Sequence, residues 1–86
     1  MFFVYVLQSG LDGSLYIGQT SDVEARLQRH NSGHVRSTKR KRPWGLLGAE
    51  AYETRDKARW REYSIKRNAS EKRAFVSKFL PSSFNG

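Results

Sequence analysis

Two short runs of aromatic and β-branched residues open the chain, separated by residues typical of turns. The runs cover 2–8 and 15–19, and the segment 9–13 between them contains two glycines and an aspartate. Aromatic and β-branched side chains favour strands, whereas Gly and Asp favour turns. We therefore predict an antiparallel hairpin. Alternation allows Tyr5 and Tyr16 to share one face, but the loop leaves the register open.

A helix is predicted directly after the hairpin, over residues 22–30. Ser21 followed three residues later by Glu24 has the spacing of a capping box, and the segment 31–33, Asn-Ser-Gly, is a plausible stop. On a helical wheel Val23, Leu27 and His30 fall within a narrow arc and Arg26 lies at its edge. Two polar residues therefore intrude on the face that should meet the core.

The next segment, residues 33–43, is basic and has no apolar periodicity, so we predict an exposed, mobile loop that contacts phosphate. A solvated run of charge is the alternative. A weaker third strand is expected over 44–52. Helical patterns follow over 54–67 and again after a possible capping box at 68–71, ending before Pro81.

Glu62 is a further polar residue on an apolar helix face, this time on the helix predicted over 54–67. It shares an arc with Ala58 and Ile65, whereas Trp60 and Arg67 lie on the other side. A carboxylate facing a core needs a cation, hydrogen-bond donors or a metal ion, because an unpaired buried charge is strongly disfavoured.

Composition limits the class of protein. The chain has 86 residues, sufficient for one domain, which we place at 1–80 with a frayed tail at 81–86. Its formal charge of +8 indicates a polyanionic partner, with nucleic acid as the leading candidate. Cysteine is absent and no apolar run is long enough for a signal-peptide core or a membrane span, so we expect a soluble cytoplasmic protein without membrane association.

Each candidate residue also has a simpler interpretation. The tyrosines could be ordinary strand residues packing with their rings, and Arg26 and His30 could form a surface pair. Glu62 could pair with Arg26 in a purely structural salt bridge. Trp44 and Trp60 are expected to be core or edge packing residues, with stacking on an unpaired base as the weaker alternative.

Taken together, the motifs resemble the GIY-YIG nuclease domain, particularly its small single-domain bacterial members, and are similar to the incision domain of the nucleotide-excision-repair nuclease subunit. The resemblance covers residues 2–67. The matching segments are Val4-Tyr5-Val6, Tyr16-Ile17-Gly18-Gln19-Thr20, Arg26-Leu27, His30-Asn31-Ser32-Gly33, Ser37-Thr38-Lys39, Arg42-Pro43-Trp44, Arg61-Glu62 and Ile65-Lys66.

The resemblance implies an α+β fold, a small three-stranded antiparallel sheet flanked by about three helices in the order β-β-α-β-α-α. It also implies hydrolysis of DNA phosphodiesters with one divalent metal ion, Mg²⁺ or Mn²⁺. Tyr5 and Tyr16, or a water between them, would act as or assist the general base. A phenol has a pKa near ~10, so it would need cations or metal nearby to ionise at neutral pH.

The remaining roles also come from the resemblance. Arg26 would clamp the scissile phosphate, Glu62 would hold the metal, and His30 would bind phosphate or shuttle a proton. The cations expected to contact nucleic acid, duplex or branched DNA, are Arg36, Lys39, Arg40, Lys41, Arg42 and Lys66.

The chain departs from the family pattern in two places. The first motif lacks its glycine and isoleucine, and the asparagine that larger members carry downstream of the glutamate has no clear match, since Asn68 is better explained as a helix cap. No recognition domain fits, so weak or structure-dependent specificity is expected, with DNA repair or recombination as the setting. The alternatives are a binding module that lacks hydrolysis or needs a protein partner for it, and an RNA-associated or ribosome-associated accessory protein.

Overall fold

Three strands and three α-helices follow one another in the predicted order in the computed structural model, which describes residues 1–80. The elements are β1 (Phe2–Ser9), β2 (Leu15–Thr20), α1 (Val23–Asn31), β3 (Trp44–Tyr52), α2 (Arg55–Arg67) and α3 (Ala69–Ser77), with a 3₁₀ turn at Lys39–Lys41. The α+β class and the order β-β-α-β-α-α are thus confirmed. The predicted frayed tail lies outside the described residues.

The sheet is antiparallel and has the order β2-β1-β3, so the first strand is central. Leu7 pairs with Tyr16 and Tyr5 pairs with Gly18. Because side chains alternate along a strand, this register places Tyr5 and Tyr16 on the same face. Their ring centroids are 6.2 Å apart. The register that the hairpin loop left open is therefore the one that brings the phenols together.

Helices cover both faces of the sheet at β1, so both faces of this strand are buried and the protein has two core layers. Val4 and Val6 pack on one side, in a layer that includes Ala58, Ile65, Phe75 and Val76 from α2 and α3. Tyr5 and Leu7 pack on the other side with Trp44, against Val23 and Leu27 of α1. Burying each large apolar side chain of this kind stabilises the fold by roughly 1.5–3 kcal/mol.

The cap of α1 differs from the prediction. Asp22 is the N-cap, in extended conformation (φ −143°, ψ 97°), and its Oδ1 accepts a hydrogen bond from Ala25 N at 3.0 Å. A capping box at Ser21 is wrong, because Thr20 Oγ1 accepts from Asp22 N at 3.1 Å and delays the first turn by one residue. Gly33, at φ +86°, follows the helix end as expected.

The other two helices begin with side-chain caps. The helix predicted from Thr54 begins one residue later, with Thr54 as its N-cap, and Asn68 caps α3 as predicted. Thr54 Oγ1 accepts from Lys57 N at 3.1 Å at the start of α2, and Asn68 Oδ1 accepts from two backbone amides of α3. Within residues 1–80, no helix has both the length and the apolar character that spanning a bilayer requires.

The basic loop is held more firmly than its composition predicts. Thr38, in its middle, is only 2% exposed, and its carbonyl accepts from Trp44 Nε1 at 2.9 Å. Asn31 brackets the loop by accepting from Trp44 N at 2.6 Å and donating to Trp44 O at 2.9 Å. On the other side Ser9 Oγ donates to Lys41 O at 2.7 Å. The predicted exposure holds for most of the loop, including its cations, and the exception is Thr38, whose side chain is buried.

Candidate active site

Four of the predicted site residues meet on the α1 face of the sheet, close to its β2 edge. Tyr5 and Tyr16 come from the paired strands, and Arg26 and His30 come from one face of α1. The His30 ring lies edge-on to both phenol rings, with centroids 4.7 Å from Tyr16 and 6.0 Å from Tyr5. The sequence thus brings two phenols, an imidazole and a guanidinium to one place.

Gly18 permits this arrangement by leaving space above β2. A Cβ atom on Gly18 would lie 2.6 Å from the Tyr5 hydroxyl oxygen and 2.8 Å from Tyr5 Cζ, closer than real Cβ contacts allow. The phenol therefore lies over the backbone of the neighbouring strand. A glycine is required at position 18 because the buried Tyr5 ring approaches the backbone there too closely for a side chain.

A buried hydrogen-bonded chain connects Tyr5, His30 and Thr38. The Tyr5 hydroxyl lies 3.0 Å from His30 Nε2, and His30 Nδ1 lies 2.8 Å from Thr38 Oγ1. Thr38 Oγ1 is also 3.2 Å from the carbonyl oxygen of Val35. Tyr5, His30 and Thr38 are 1%, 0% and 2% exposed. Because all three are buried, each polar atom needs its partner.

The chemistry of these groups sets the direction of the protons. A threonine hydroxyl has one proton, and the Val35 carbonyl can only accept, so Thr38 donates to Val35 and accepts from Nδ1–H of His30. Nε2 is then a bare acceptor, and the Tyr5 hydroxyl donates to it. This assignment gives every donor an acceptor. His30 is thereby held in the tautomer that can take the phenolic proton.

The Tyr5 phenol is a weaker acid in this site than a free tyrosine. Burial raises its pKa to about 12, partly opposed by the neighbouring Arg26 guanidinium, while Tyr16 and Glu62 raise it slightly. Ionisation at neutral pH would need nearby cations, and the Arg26 guanidinium favours it, but desolvation outweighs the guanidinium. At neutral pH Tyr5 is a protonated donor, and its proton can leave only toward an adjacent base.

His30 is that adjacent base, and its environment keeps it neutral. Burial lowers its pKa below the usual 6.5, and the positive charges of Arg26 and Arg29 lower it further. A neutral imidazole can accept a proton at pH 7. Full burial also separates His30 from solvent, so it contacts Tyr5 and Thr38 rather than an incoming phosphate.

Arg26 has an unsatisfied donor at the centre of the site. Its Nε is buried and has no hydrogen-bond partner among residues 1–80. Leaving a buried polar group unpaired costs about 1–3 kcal/mol, more for a charged one. Such a group in a folded protein needs an explanation, and an anion that docks against the guanidinium would provide the missing acceptor.

Glu62 reaches the site from α2, on the other side of the β2 edge. Its Oε2 accepts from Lys66 Nζ at 2.7 Å, and its side chain is 23% exposed. The same Nζ lies 5.8 Å from the centroid of the Tyr16 ring, which places the Glu62–Lys66 pair beside Tyr16. The alternative of a structural Glu62–Arg26 salt bridge is wrong, because the partner of Glu62 is the lysine one turn along its own helix.

Glu62 is the residue that could hold a divalent metal. Within the part of the chain that the structure describes, no three His, Cys, Asp or Glu side chains cluster as a metal site would. Mg²⁺ commonly binds through one or two carboxylates, with water and substrate phosphate oxygens completing its shell. A single half-buried carboxylate fits that mode of binding and does not fit an all-protein cage.

The cations predicted to contact nucleic acid have different positions. Lys39, Arg40 and Arg42 line an open cavity of about 560 Å³ with Asn31 and Pro43. Lys66 lies beside Tyr16, and Arg36 is exposed on the same loop. Lys41 instead faces the hairpin turn, 3.4 Å from Asp12 Oδ2 and 3.0 Å from Ser14 Oγ. The loop cations therefore do not form one uniform surface.

Sequence reasoning missed two residues that support the site. Thr38 holds the His30 tautomer, and Asn31 ties the end of α1 to the start of β3. Thr38 is an uncharged residue in the middle of a basic run, which was the available signal for it. Asn31 was interpreted as part of a helix stop and as part of the matching segment His30-Asn31-Ser32-Gly33, and neither interpretation gave its side chain a role. In contrast, Trp44 is buried as predicted, at 5% exposure, whereas Trp60 is exposed.

Comparison with known proteins agrees with this geometry. The family described as the GIY-YIG catalytic domain matches residues 1–74. UPF0213 proteins of Staphylococcus aureus strains Mu3 and N315 are each 44% identical over 72 residues, covering 83% of this chain and 87% of theirs.

A solved structure shares the fold. The solution NMR structure of a UPF0213 protein from Bacillus halodurans aligns with a TM-score of 0.55 and 34% sequence identity, covering 90% of this chain and 84% of that one. The family match covers most of the chain, and it includes the four candidate residues Tyr5, Tyr16, Arg26 and Glu62. The chain belongs to the GIY-YIG family as a small single-domain member, and this family implies a nuclease-type function.

Proposed function

We propose that this protein is a divalent-metal-dependent endonuclease that hydrolyses DNA phosphodiester bonds with weak or structure-dependent specificity. The observation that carries the proposal is the buried, unpartnered Nε of Arg26 beside the Tyr5–His30 pair. The guanidinium has a free donor for an anion. The hydrogen-bonded Tyr5–His30 pair beside it could take a proton from a reacting water. A phosphodiester with its attacking water meets both requirements. DNA repair or recombination is the setting that such an activity fits.

The scissile phosphate would dock on Arg26, with Glu62 and Lys66 on its other side. Arg26 is only half-buried, so its guanidinium would donate to a non-bridging oxygen after turning toward the phosphate, a movement that would also give the buried Nε an acceptor. The same contact strengthens as charge builds on the phosphoryl oxygens, so it lowers the barrier as well as binding the substrate. Its site is half-buried, which makes the interaction stronger than it would be in water.

The attacking water would lose its proton through Tyr5. As the water proton moves to the phenolic oxygen, the phenolic proton moves to His30 Nε2, so Tyr5 remains neutral throughout. The hydroxide oxygen forms a bond to phosphorus, and the opposite P–O ester bond breaks. The leaving oxygen takes a proton from solvent. The imidazolium of His30 then returns its proton through Tyr5 to water, which regenerates the site.

Glu62 would hold Mg²⁺ or Mn²⁺ through its carboxylate. When bound, the ion polarises the phosphate and stabilises the charge on the leaving oxygen. Lys66 Nζ, 2.7 Å from Glu62 Oε2, would orient this carboxylate. Glu62 also raises the Tyr5 pKa, which connects the two sides of the site electrostatically.

The test is cleavage of supercoiled, branched and single-stranded DNA in the presence of Mg²⁺ or Mn²⁺. We expect Arg26→Ala and Glu62→Gln each to lower the rate by at least about a hundredfold. Arg73→Ala, at an exposed arginine of α3, is the control for Arg26. Glu53→Gln is the matched control for Glu62, since Glu53 also pairs with a lysine four residues later, Lys57. Both controls should cleave at the wild-type rate.

The outcomes separate the alternatives. If cleavage persists in both Arg26→Ala and Glu62→Gln, the assignment of the active site is wrong. If the wild-type protein binds DNA with a steep salt dependence and cuts none of the substrates, it is a binding module on the same fold. A binding preference for RNA over DNA, without cleavage, would favour the RNA-associated class instead.

A further inference from the structure

One exposed aromatic surface is not used by the candidate active site. It lies on the outward face of α2 and consists of Asp56, Arg59, Trp60, Tyr63 and Arg67, here called the α2 patch. Trp60 is 69% exposed and Tyr63 is 50% exposed. A protein of this size gains nothing in stability by keeping two large aromatic rings in water, so the patch points to a ligand.

The two aromatic rings of the α2 patch stand at right angles to each other. The Trp60 and Tyr63 rings meet edge-to-face, with centroids 5.8 Å apart and planes at 88°. Asp56 and Arg59 complete an open cavity of about 380 Å³. The Arg67 guanidinium covers one side of the Tyr63 ring, 5.1 Å from its centroid, and also donates to its hydroxyl. Tyr63 is therefore held in place while the indole of Trp60 stays accessible.

The surroundings of the α2 patch favour a nucleic-acid strand as its occupant. The chain carries a formal charge of +8, and Arg59 and Arg67 flank the two rings. Aromatic faces beside cations are how proteins hold single strands, because every base has a face that stacks and every linkage carries a negative charge. A blunt duplex offers no free base face along its length.

The α2 patch also adjoins the candidate active site. Residues three apart on a helix are neighbours, with Cβ atoms about 5–6 Å apart, so Arg59 is next to Glu62 and Tyr63 is next to Lys66. Trp60 lies on the opposite side of α2 from Glu62, so a strand whose phosphate reaches Glu62 would come to the Trp60 ring by passing around the helix over Arg59 and Tyr63. This continuity distinguishes the α2 patch from an isolated hydrophobic spot.

We propose that the α2 patch stacks unpaired bases of a single-stranded DNA segment next to the bond at the active site. The inference rests on the proposed function in one respect, the identity of the polyanion. It implies that substrates with an unpaired segment, such as flaps and forks, are preferred to blunt duplex. Specificity of this kind depends on DNA structure and needs no recognition domain.

The binding test uses fluorescently labelled oligo-dT and a blunt duplex without divalent metal, so that nothing is cleaved. Trp60→Leu keeps an apolar residue and removes the stacking ring. We expect the affinity for oligo-dT to fall between about fivefold and a hundredfold and the affinity for duplex to change less than about twofold. Leu46→Ala, at a separate residue that is 44% exposed, should change neither affinity.

Tryptophan fluorescence provides a second readout. Trp44 is buried, so quenching of the emission by oligo-dT should come from Trp60 and disappear in Trp60→Leu. Because Trp60 is exposed, this variant should keep the wild-type melting temperature. Tyr63→Ala should weaken oligo-dT binding in the same direction.

Three outcomes overturn the inference. They are equal losses for oligo-dT and duplex, no loss for either, and a concentration-dependent dimer that Trp60→Leu abolishes, which would make the α2 patch a contact between copies of the chain. Cleavage assays distinguish the two proposals. If Arg26 and Glu62 are needed for cleavage but Trp60→Leu leaves the preference for flaps unchanged, only this inference fails. If nothing is cleaved but Trp60-dependent binding of oligo-dT persists, only the proposed function fails.

Discussion

At the scale of single residues, burial separates the two roles that the sequence left open for His30. A histidine one turn after an arginine could bind phosphate or shuttle a proton. With 0% exposure and both ring nitrogens engaged, His30 has no atom available for phosphate. The proton-shuttle role that we propose is compatible with this burial and requires a neutral ring.

The burial of His30 should also appear in the pH dependence of stability. Its pKa is lowered in the folded state, whereas in the unfolded chain it is near 6.5. Above pH 6.5 the ring is neutral in both states and stability is unaffected. As the pH falls below 6.5, the unfolded chain takes up the proton first, so the free energy of unfolding decreases until the folded pKa is reached.

Urea denaturation between pH 7.5 and pH 5.5 measures this effect. The wild-type midpoint should fall across that window, and His30→Gln should have a lower midpoint at pH 7.5 with a flatter dependence on pH. His34→Gln is the control, because His34 is exposed and bonded to Ser32 Oγ at the loop surface. An identical slope in His30→Gln and the wild type would contradict the buried, neutral state.

At the scale of elements, the close contact between β1 and β2 positions the hydrogen-bonded Tyr5–His30 pair. Tyr5 lies over Gly18, its cross-strand partner, and this overlap directs the hydroxyl toward α1 and His30. The strand pairing and the α1 packing therefore act together on one oxygen atom. A substitution in β2 at Gly18 should therefore displace the Tyr5 hydroxyl.

Gly18→Ala tests this dependence. The new methyl group would meet the Tyr5 hydroxyl, so we expect a loss of about 1–3 kcal/mol in stability and a displaced phenol. Gly45→Ala is the matched control in β3, since a Cβ there has nothing within 4 Å. Chemical denaturation and the DNA cleavage rate are the measurements. Equal effects of the two substitutions on both quantities would refute the steric explanation.

At the scale of the whole molecule, the positive charge is spread unevenly around the active site. Lys39, Arg40 and Arg42 form the wall of one cavity, whereas Lys78 and Arg61 are engaged with Glu50. A cation that already contacts a carboxylate neutralises DNA phosphate less, so fewer counterions are released from the DNA. The loop should therefore contribute more to DNA affinity than its share of the total charge.

The salt dependence of duplex binding checks this distribution. Lys39→Gln/Arg40→Gln and Lys57→Gln/Lys78→Gln each reduce the formal charge of +8 by two. The loop variant should lower the slope of log affinity against log salt by about 1–2, as expected for one or two lost phosphate contacts. The other variant should change the slope less, because its lysines pair with Glu53 and Glu50. Equal slopes in the two variants would show that only net charge matters.

Much of the fold follows from local sequence patterns. Strand propensity predicted the third strand at Trp44–Tyr52, and the caps at Thr54 and Asn68 set the starts of α2 and α3. These signals act within one or two turns of chain, so they are readable without knowing the packing. The wrong prediction of an N-cap at Ser21 also has a local cause, because the hydrogen bond from Asp22 N to Thr20 Oγ1 moves the N-cap by one residue to Asp22.

The sequence by itself determined the order of the elements, the basic character and the presence of Tyr5, Tyr16, Arg26 and Glu62. Only the tertiary structure decided the register that joins the two tyrosines, the burial of Thr38 and the use of Lys66 as the partner of Glu62. The Tyr5–His30 bond joins residues 25 positions apart. Contacts across such distances depend on which faces pack together, and local patterns do not specify that.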